Sequence, residues 1–283
     1  MIYQAGLVLE GGGMKGVYTC GVLDFFLEKD IAFEKNYGVS AGACHLCSFL
    51  SKQKGRAFAV NVDYLDDRDY CSLHSLLTTG DLFNVDTLYR RIPEELYPFD
   101  YDAFNANPCK GYAVVTNIET GLPEYLPLRD MKKDIQAVRA SASLPLVSRN
   151  VEIGGKVYLD GGISDGIPVI HSVTDGNRKN VVIMTKEAGY RRQPTSALNV
   201  FKLRYRKYPQ VYEVMKRRHI VYNQTLDYIE EQQKAGNVFL LQPQTKSAVG
   251  RVEKDRTKLE ALYREGYEDA AAQYDALMAF LQA

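Results

Sequence analysis

Short continuous apolar runs alternate along this chain with stretches in which apolar residues recur every third or fourth position, and glycine, proline or polar clusters separate the two kinds of segment. Ala5 to Glu10 is the first run and stops at Gly11-Gly12-Gly13-Met14-Lys15-Gly16. Val17, Cys20, Gly21, Leu23, Phe25 and Leu27 then space the apolar face of a helix. Phe33 to Val39 predicts a second buried strand, and Ser40 to about Lys54 a second helix. Lys110 to Asn117 and Pro123 to Leu128 form a hairpin-like pair about the turn Glu119-Thr120-Gly121, and Gly154-Gly155 joins two short strands over 151–159. Asp134 to Ala142 reads as a helix stopped by Ser143-Leu144-Pro145, since proline cannot continue it. Val181 to Met184 and Val238 to Leu241 are the remaining buried-strand candidates. Alternation of strand and helix predicts an α/β fold.

Two regions depart from that alternation. Residues 61–110 have weak periodicity and read as short helices and loops. Their Tyr64, Phe83, Tyr89, Tyr97, Phe99, Tyr101 and Phe104 either pack the segment onto the main body or wall a substrate entrance. From Leu203 to Lys234 a long helical pattern interleaves Tyr205, Tyr208, Tyr212, Met215 and Tyr222 with Arg204, Arg206, Lys207, Lys216, Arg217 and Arg218, and Pro209 marks its first turn or a break. Lys254 to Ala283 places Leu259, Leu262, Tyr263, Tyr267, Ala270, Tyr274 and Leu277 on one face of a terminal helical region. The expected organisation is a single domain over 1–283, with 61–110 as a cap or entrance and 203–283 largely helical.

Composition narrows the function classes. With 283 residues, 46% of them hydrophobic, the chain can bury a sizeable core. Its formal net charge of zero excludes nucleic acid as the expected partner. Only 191–218 is one-sided, with nine basic residues against Glu213, so this stretch either seats on an anionic membrane surface or forms a solvated helix face. The N-terminus, Met1 to Leu9, has no basic leader and reads as a strand, and no apolar run reaches the roughly 18 to 20 residues that span a bilayer. Five irregularly spaced cysteines read as reduced thiols, which points to a cytoplasmic protein, peripheral at most to a membrane. Cys44 and Cys47 form a lone C-x-x-C on a helix, read as packing residues, and neither a metal nor a cofactor is expected.

The candidate chemistry begins at Gly38-Val39-Ser40-Ala41-Gly42, a G-x-S-x-G frame at a strand-to-helix junction. A serine on so tight a turn needs small neighbours two residues either side, which Gly38 and Gly42 supply, and the positive end of the following helix favours an alkoxide or oxyanion beside it. Ser40 is therefore a candidate nucleophile. Asp160 ends an apolar run and precedes Gly161 and Gly162, so it reads either as an ordinary turn residue or as a base. Gly11, Gly13 and Gly16 also fit a G-x-G-x-x-G dinucleotide fingerprint, but the second strand delivers Ser40 where a ribose-binding acid would stand. His171 and His219 follow Asp160 in the order of a Ser-acid-His triad. Neither ends a strand, and His45 and His74 have no distinguishing context.

The glycine loop, the serine elbow and Asp160-Gly161-Gly162, in this order, together with Ala140-Ser141-Ala142-Ser143-Leu144-Pro145, resemble the patatin-like phospholipase family over most of 5–280. The resemblance implies a three-layer α/β/α fold with a central, mostly parallel sheet, and a serine hydrolase cleaving acyl esters of lipids, of phospholipase A or lysophospholipase type. Carried over, Ser40 is the nucleophile, Asp160 its base, and Gly11, Gly12 and Gly13 the oxyanion donors. Lys15, Gly16, Gly38, Gly42, Gly161 and Gly162 support these motifs, with Lys15 adding local positive field. The implied partner is a lipid or ester substrate, with transient membrane-surface contact. The alternatives are a Ser-Asp-His esterase and a nucleotide-binding protein.

Overall fold

The short apolar runs assemble into one eight-stranded sheet in the computed structural model, which describes residues 1–196 and 198–283. Its strands are β1 (Ile2–Leu9), β2 (Ala32–Val39), β3 (Lys110–Asn117), β4 (Pro123–Leu128), β5 (Val151–Ile153), β6 (Lys156–Asp160), β7 (Asn180–Ile183) and β8 (Val238–Leu241). They lie in the order β5-β6-β3-β2-β1-β7-β8, with β4 also on β3. From β3 through β8 neighbouring strands are parallel, whereas β4, β5 and β6 pair antiparallel.

Helices cover both faces, and alternate residues of β1 show how. Leu7 and Leu9 belong to the larger core with Tyr18, Phe26 and Leu46, while Val8 points into a second core with Tyr37, Val182, Tyr222 and Ile229. A strand buried on both sides reads as a continuous apolar run. On the first face lie α1 (Val17–Glu28) and α2 (Ala41–Leu50), followed by α3 (Arg56–Val62), a π-helical segment (Thr87–Leu96), α5 (Tyr101–Ala106) and α6 (Met131–Ser141), with α4 (Leu73–Thr79) after α3 in sequence. Phe99 and Phe104 are buried, and Tyr64, Phe83, Tyr89, Tyr97 and Tyr101 pack against the same core. The second face is covered by α7 (Val169–Thr174) and α9 (Pro209–Lys234), with α8 (Leu198–Arg204) between them in sequence. Pro209 opens α9, where its missing N–H has no helical partner to lose. No helix among the described residues is long and apolar enough to cross a membrane.

The two C-terminal helices, α10 (Arg256–Ala272) and α11 (Tyr274–Gln282), return to the first face. α10 crosses α1 backbone to backbone: a Cβ at Gly266 would overlap the Tyr18 carbonyl oxygen, and one at Gly21 the Tyr263 carbonyl oxygen. The crossing is then sealed by hydrogen bonds from Tyr18 to Asp269 and from Tyr263 to Asp24, both 2.8 Å, and by Phe25 edge-on to Tyr267. Because the obstructing atoms are backbone, they cannot swing aside as a side chain would. Gly266→Ala is expected to destabilise the fold by about 2 kcal/mol, in the range of overpacked cores, seen as a lower urea midpoint. An unchanged midpoint would contradict this account of the crossing.

Candidate active site

Two strands that run toward each other along one edge of β3 create the site. β2 is parallel to β3 and ends with Val39 opposite Val114; β6 is antiparallel to β3 and ends with Asp160 opposite Val115. Since β4 occupies the other edge of β3 at Val115 and Thr116, β6 must share the β2 edge, end to end with it. The residue after β2 is Ser40, so Ser40 and Asp160 arrive at one point from opposite directions. Side-chain and backbone bonds hold the junction. Ser141 donates to the Val114 carbonyl at 2.6 Å and accepts the Ser40 N–H at 2.9 Å. The Asp160 N–H donates to the Ser143 carbonyl at 2.9 Å, and Thr116 Oγ1 donates to the Asp160 carbonyl at 2.9 Å.

Ser40 itself is held at φ 55°, ψ −123°, outside the regions a serine ordinarily occupies. The turn closes only because its flanks are small. A Cβ at Gly38 would lie 2.6 Å from the Ala43 Cα, and one at Gly42 2.6 Å from the Leu9 carbonyl oxygen. The serine caps α2, its carbonyl accepting from the Ala43 and Cys44 amides, so its hydroxyl stands at the positive end of that helix.

Asp160 is 3% exposed. Burial raises its pKa above the usual carboxylate value, while the Ser40 hydroxyl, the Gly162 N–H, Arg218 and Arg251 pull it back. Oδ1 accepts the Gly162 N–H at 2.7 Å. Oδ2 is buried and, among the described residues, accepts no hydrogen bond. The serine is thus near enough to stabilise the carboxylate without forming a hydrogen bond of good geometry to it, and one oxygen of the acid is free to take a proton.

Both side chains open on a cavity of about 530 Å³, also lined by Gly11, Gly12, Gly13, Gly162, Leu144, Leu146, Phe201 and Met215. Among the described residues the amides of Gly11, Gly12 and Gly13 donate to no group of the chain. Gly13, at φ +59°, turns the loop under Arg251, whose carbonyl takes the next amide, from Met14, at 3.0 Å. Lys15 and Gly16 stand off the cavity, Lys15 close enough to Lys186 to help depress its pKa. Gly161 fits beneath the Val114 carbonyl. Of residues 61–110 only Leu82 lines the cavity. None of the four histidines does. His171 stacks on Tyr125 at 3.3 Å, His45 on α2 faces Gly16 and Asn61, His74 meets Arg68 on the surface, and His219 lies on α9. No group of three possible metal ligands occurs among the described residues.

A model of the patatin-like phospholipase family matches residues 7–172, more than half of the chain. The chain belongs to the patatin-like phospholipase family. Beyond the patatin-like part, residues 208–282 match a domain of unknown function, DUF6363. The chain is 34% identical over 185 residues to the uncharacterised protein YjjU of Escherichia coli (strain K12), a match covering 63% of this chain and 51% of that protein. It is 24% identical over 193 residues to the probable lipid hydrolase 463L of Invertebrate iridescent virus 6, covering 63% of this chain and 66% of that one. The chain thus spans about half the length of the first of these relatives. Among solved structures, that of VipD from Legionella pneumophila superposes with a TM-score of 0.48 at 13% identity, over 96% of this chain and 67% of that one.

The patatin-like motifs, read as sequence, include Ser141 and Ser143 but assign them no role. Ser141 and Ser143 lie in the Ala140 to Pro145 segment, but their bonds to Ser40 and Asp160 join positions about a hundred and about seventeen residues away, which no local pattern encodes. Ser141→Ala is expected to lower kcat/KM for a p-nitrophenyl ester about ten-fold by freeing the elbow amide; unchanged kinetics would remove Ser141 from the site. The raised pKa of Asp160 sets the sign of a pH effect, since a base must be ionised. Activity should fall with acidification along a limb lying above the usual aspartate value of about 3.9. A limb at or below that value would mean another group titrates.

Proposed function

We propose that this chain hydrolyses acyl ester bonds of lipids, as a phospholipase A or lysophospholipase, by a Ser40-Asp160 dyad with the Gly11, Gly12 and Gly13 amides as oxyanion donors. The observation that carries the reading is the meeting of β2 and β6 on one edge of β3, which sets a serine on a strained elbow beside a buried carboxylate with an unpartnered oxygen. Absence of histidine from the cavity supports the dyad over a triad. The name of the viral relative, a probable lipid hydrolase, agrees in class.

In this mechanism Asp160 Oδ2 takes the Ser40 proton as Oγ attacks the ester carbonyl carbon. The oxyanion that develops is received by the free glycine amides, each such donor contributing about 3 to 4 kcal/mol in comparable enzymes. Collapse breaks the ester C–O bond, the departing alcohol takes the proton from Asp160, and an acyl-Ser40 remains. Water then attacks the acyl carbon as Asp160 accepts its proton, releasing the fatty acid and returning the proton to Ser40. Burial suits the acid to this task, because it raises the basicity of the carboxylate.

Access to a bilayer substrate requires peripheral contact, and the rim offers a surface for it. α8 exposes Val200 and Leu203 beside Lys202 and Arg204, while its Phe201 reaches the cavity wall. Ser40→Ala and Asp160→Asn are each expected to reduce hydrolysis of p-nitrophenyl butyrate by about 10³-fold or more, with a fluorophosphonate probe labelling the wild type at Ser40. His171→Ala and His219→Ala should keep most of the activity. Full turnover by the Ser40 or Asp160 variant would sink the dyad, and loss in a histidine variant equal to that in Ser40→Ala would install a triad.

A further inference from the structure

Four cations face the Ser40 cavity. Lys186 follows β7, Arg192 lies in the segment leading to α8, Arg218 is on α9 and Arg251 precedes α10; all line the cavity. Among the described residues none of the four comes within salt-bridge distance of an acidic side chain. The carboxylates of the cavity are Glu10 and Asp160. Glu10 is engaged elsewhere, accepting from the Tyr222 hydroxyl at 2.6 Å and the Thr185 amide at 2.7 Å.

Two of these cations are also held in place. Arg218 Nε donates to the Gly162 carbonyl at 2.7 Å, which fixes the guanidinium against the turn that follows Asp160. Arg192 lies 4.1 Å from the centre of the Tyr222 ring, and its Nε is buried without a partner. Charges placed together in a half-buried wall cost free energy until an anion reaches them. Burial and the neighbouring cations push the Lys186 ammonium down to about 8 and Arg218 down to about 10.

Resting on the hydrolase reading above, we propose that Lys186, Arg192, Arg218 and Arg251 bind the phosphate of an anionic glycerophospholipid whose scissile acyl ester lies over Ser40. Guanidinium groups match phosphate oxygens bidentately, and a lysine adds a point charge. Counting the two carboxylates as ionised, the cavity keeps an excess of two positive charges, so it favours a headgroup with uncompensated negative charge. A choline or ethanolamine headgroup brings its own cation into a wall whose one spare acid, Glu10, is already bonded. Leu144, Pro145, Leu146, Ile163, Phe201 and Met215 also line the cavity and offer apolar surface to the acyl chain. All four cations lie outside the 7–172 match, so selection of the headgroup belongs to the part of the chain that does not carry the reacting groups.

The test uses full-length protein and monomeric dihexanoyl-phosphatidylglycerol, dihexanoyl-phosphatidylcholine and dihexanoylglycerol, so that the charge of an aggregate surface plays no part. Wild type should prefer phosphatidylglycerol to each of the others by about ten-fold or more in kcat/KM. K186Q/R192Q should cut the ratio of phosphatidylglycerol to dihexanoylglycerol about five-fold or more, mainly through KM. R251Q, at an exposed position where a folding defect is not expected, should lower the same ratio. Equal turnover of the three lipids by wild type, or an unchanged ratio in both variants, would overturn the proposal, as would turnover of p-nitrophenyl butyrate with none of any lipid. Competition by inorganic phosphate with no preference for phosphatidylglycerol would assign the cluster to free phosphate and overturn the lipid assignment. Wild type inert toward every ester, the neutral one included, would bring down the hydrolase reading and this one with it.

Discussion

The shared edge of β3 is the constraint on which the rest of the site depends. Backbone pairing places Val39 opposite Val114 and Asp160 opposite Val115, so the approach of serine to aspartate is set by hydrogen bonds of a sheet and not by flexible loops. Strand residues advance about 3.3 Å per step, and one step of slippage in either pairing would part the two side chains by that distance. Ser141 reinforces this register, since a single hydroxyl joins the elbow amide to the Val114 carbonyl. The turn after β6 adds a second tie, because Gly161 fits beneath that same carbonyl.

Electrostatics in the cavity balance two demands on Asp160. The proposed role as a base without histidine calls for more basicity than an exposed aspartate has, and burial raises the pKa of Asp160 in that direction. Arg218 and Arg251 work the other way, pulling the pKa of the acid back down. The same cations that moderate the proposed base therefore face whatever anion enters, and the charge of a bound ligand would raise the basicity of Asp160 by offsetting them. In the proposed mechanism, binding and proton transfer are coupled through one set of charges.

Much of the fold was legible because its signals are local. Continuous apolar runs marked the strands buried on both faces, and Gly154-Gly155 marked the β5–β6 turn. Pro209 was legible as a boundary and opens α9. The π-helical segment at Thr87–Leu96 was not, because Pro93 within it and its irregular period resemble a loop. Apolar aromatics in 61–110 were compatible with packing or with an entrance wall, and the choice depends on which way each ring points. Ser40, Asp160 and the glycines stood out through motifs whose spacing is short. The cation cluster did not. Arg192 and Arg218 belong to the basic block at 191–218, which reads as a solvated or membrane-facing surface, and only the fold turns those two inward to join Lys186 and Arg251.

The clamp on the glycine loop has a wider consequence. Met14 donates its amide to the Arg251 carbonyl at 3.0 Å, and α10 lies against α1 through two glycines, so the loop that carries the free amides is fastened from the far end of the chain. β1 likewise relies on β7 for its second edge. A fragment ending at residue 172 would keep the serine, the aspartate and every motif glycine, yet it would expose a bare apolar strand edge, a template for aggregation, and leave the donor loop loose. The piece that holds the proposed reacting groups is therefore smaller than the piece that holds them in place, and the two lengths of chain have to be inherited, expressed and redesigned together.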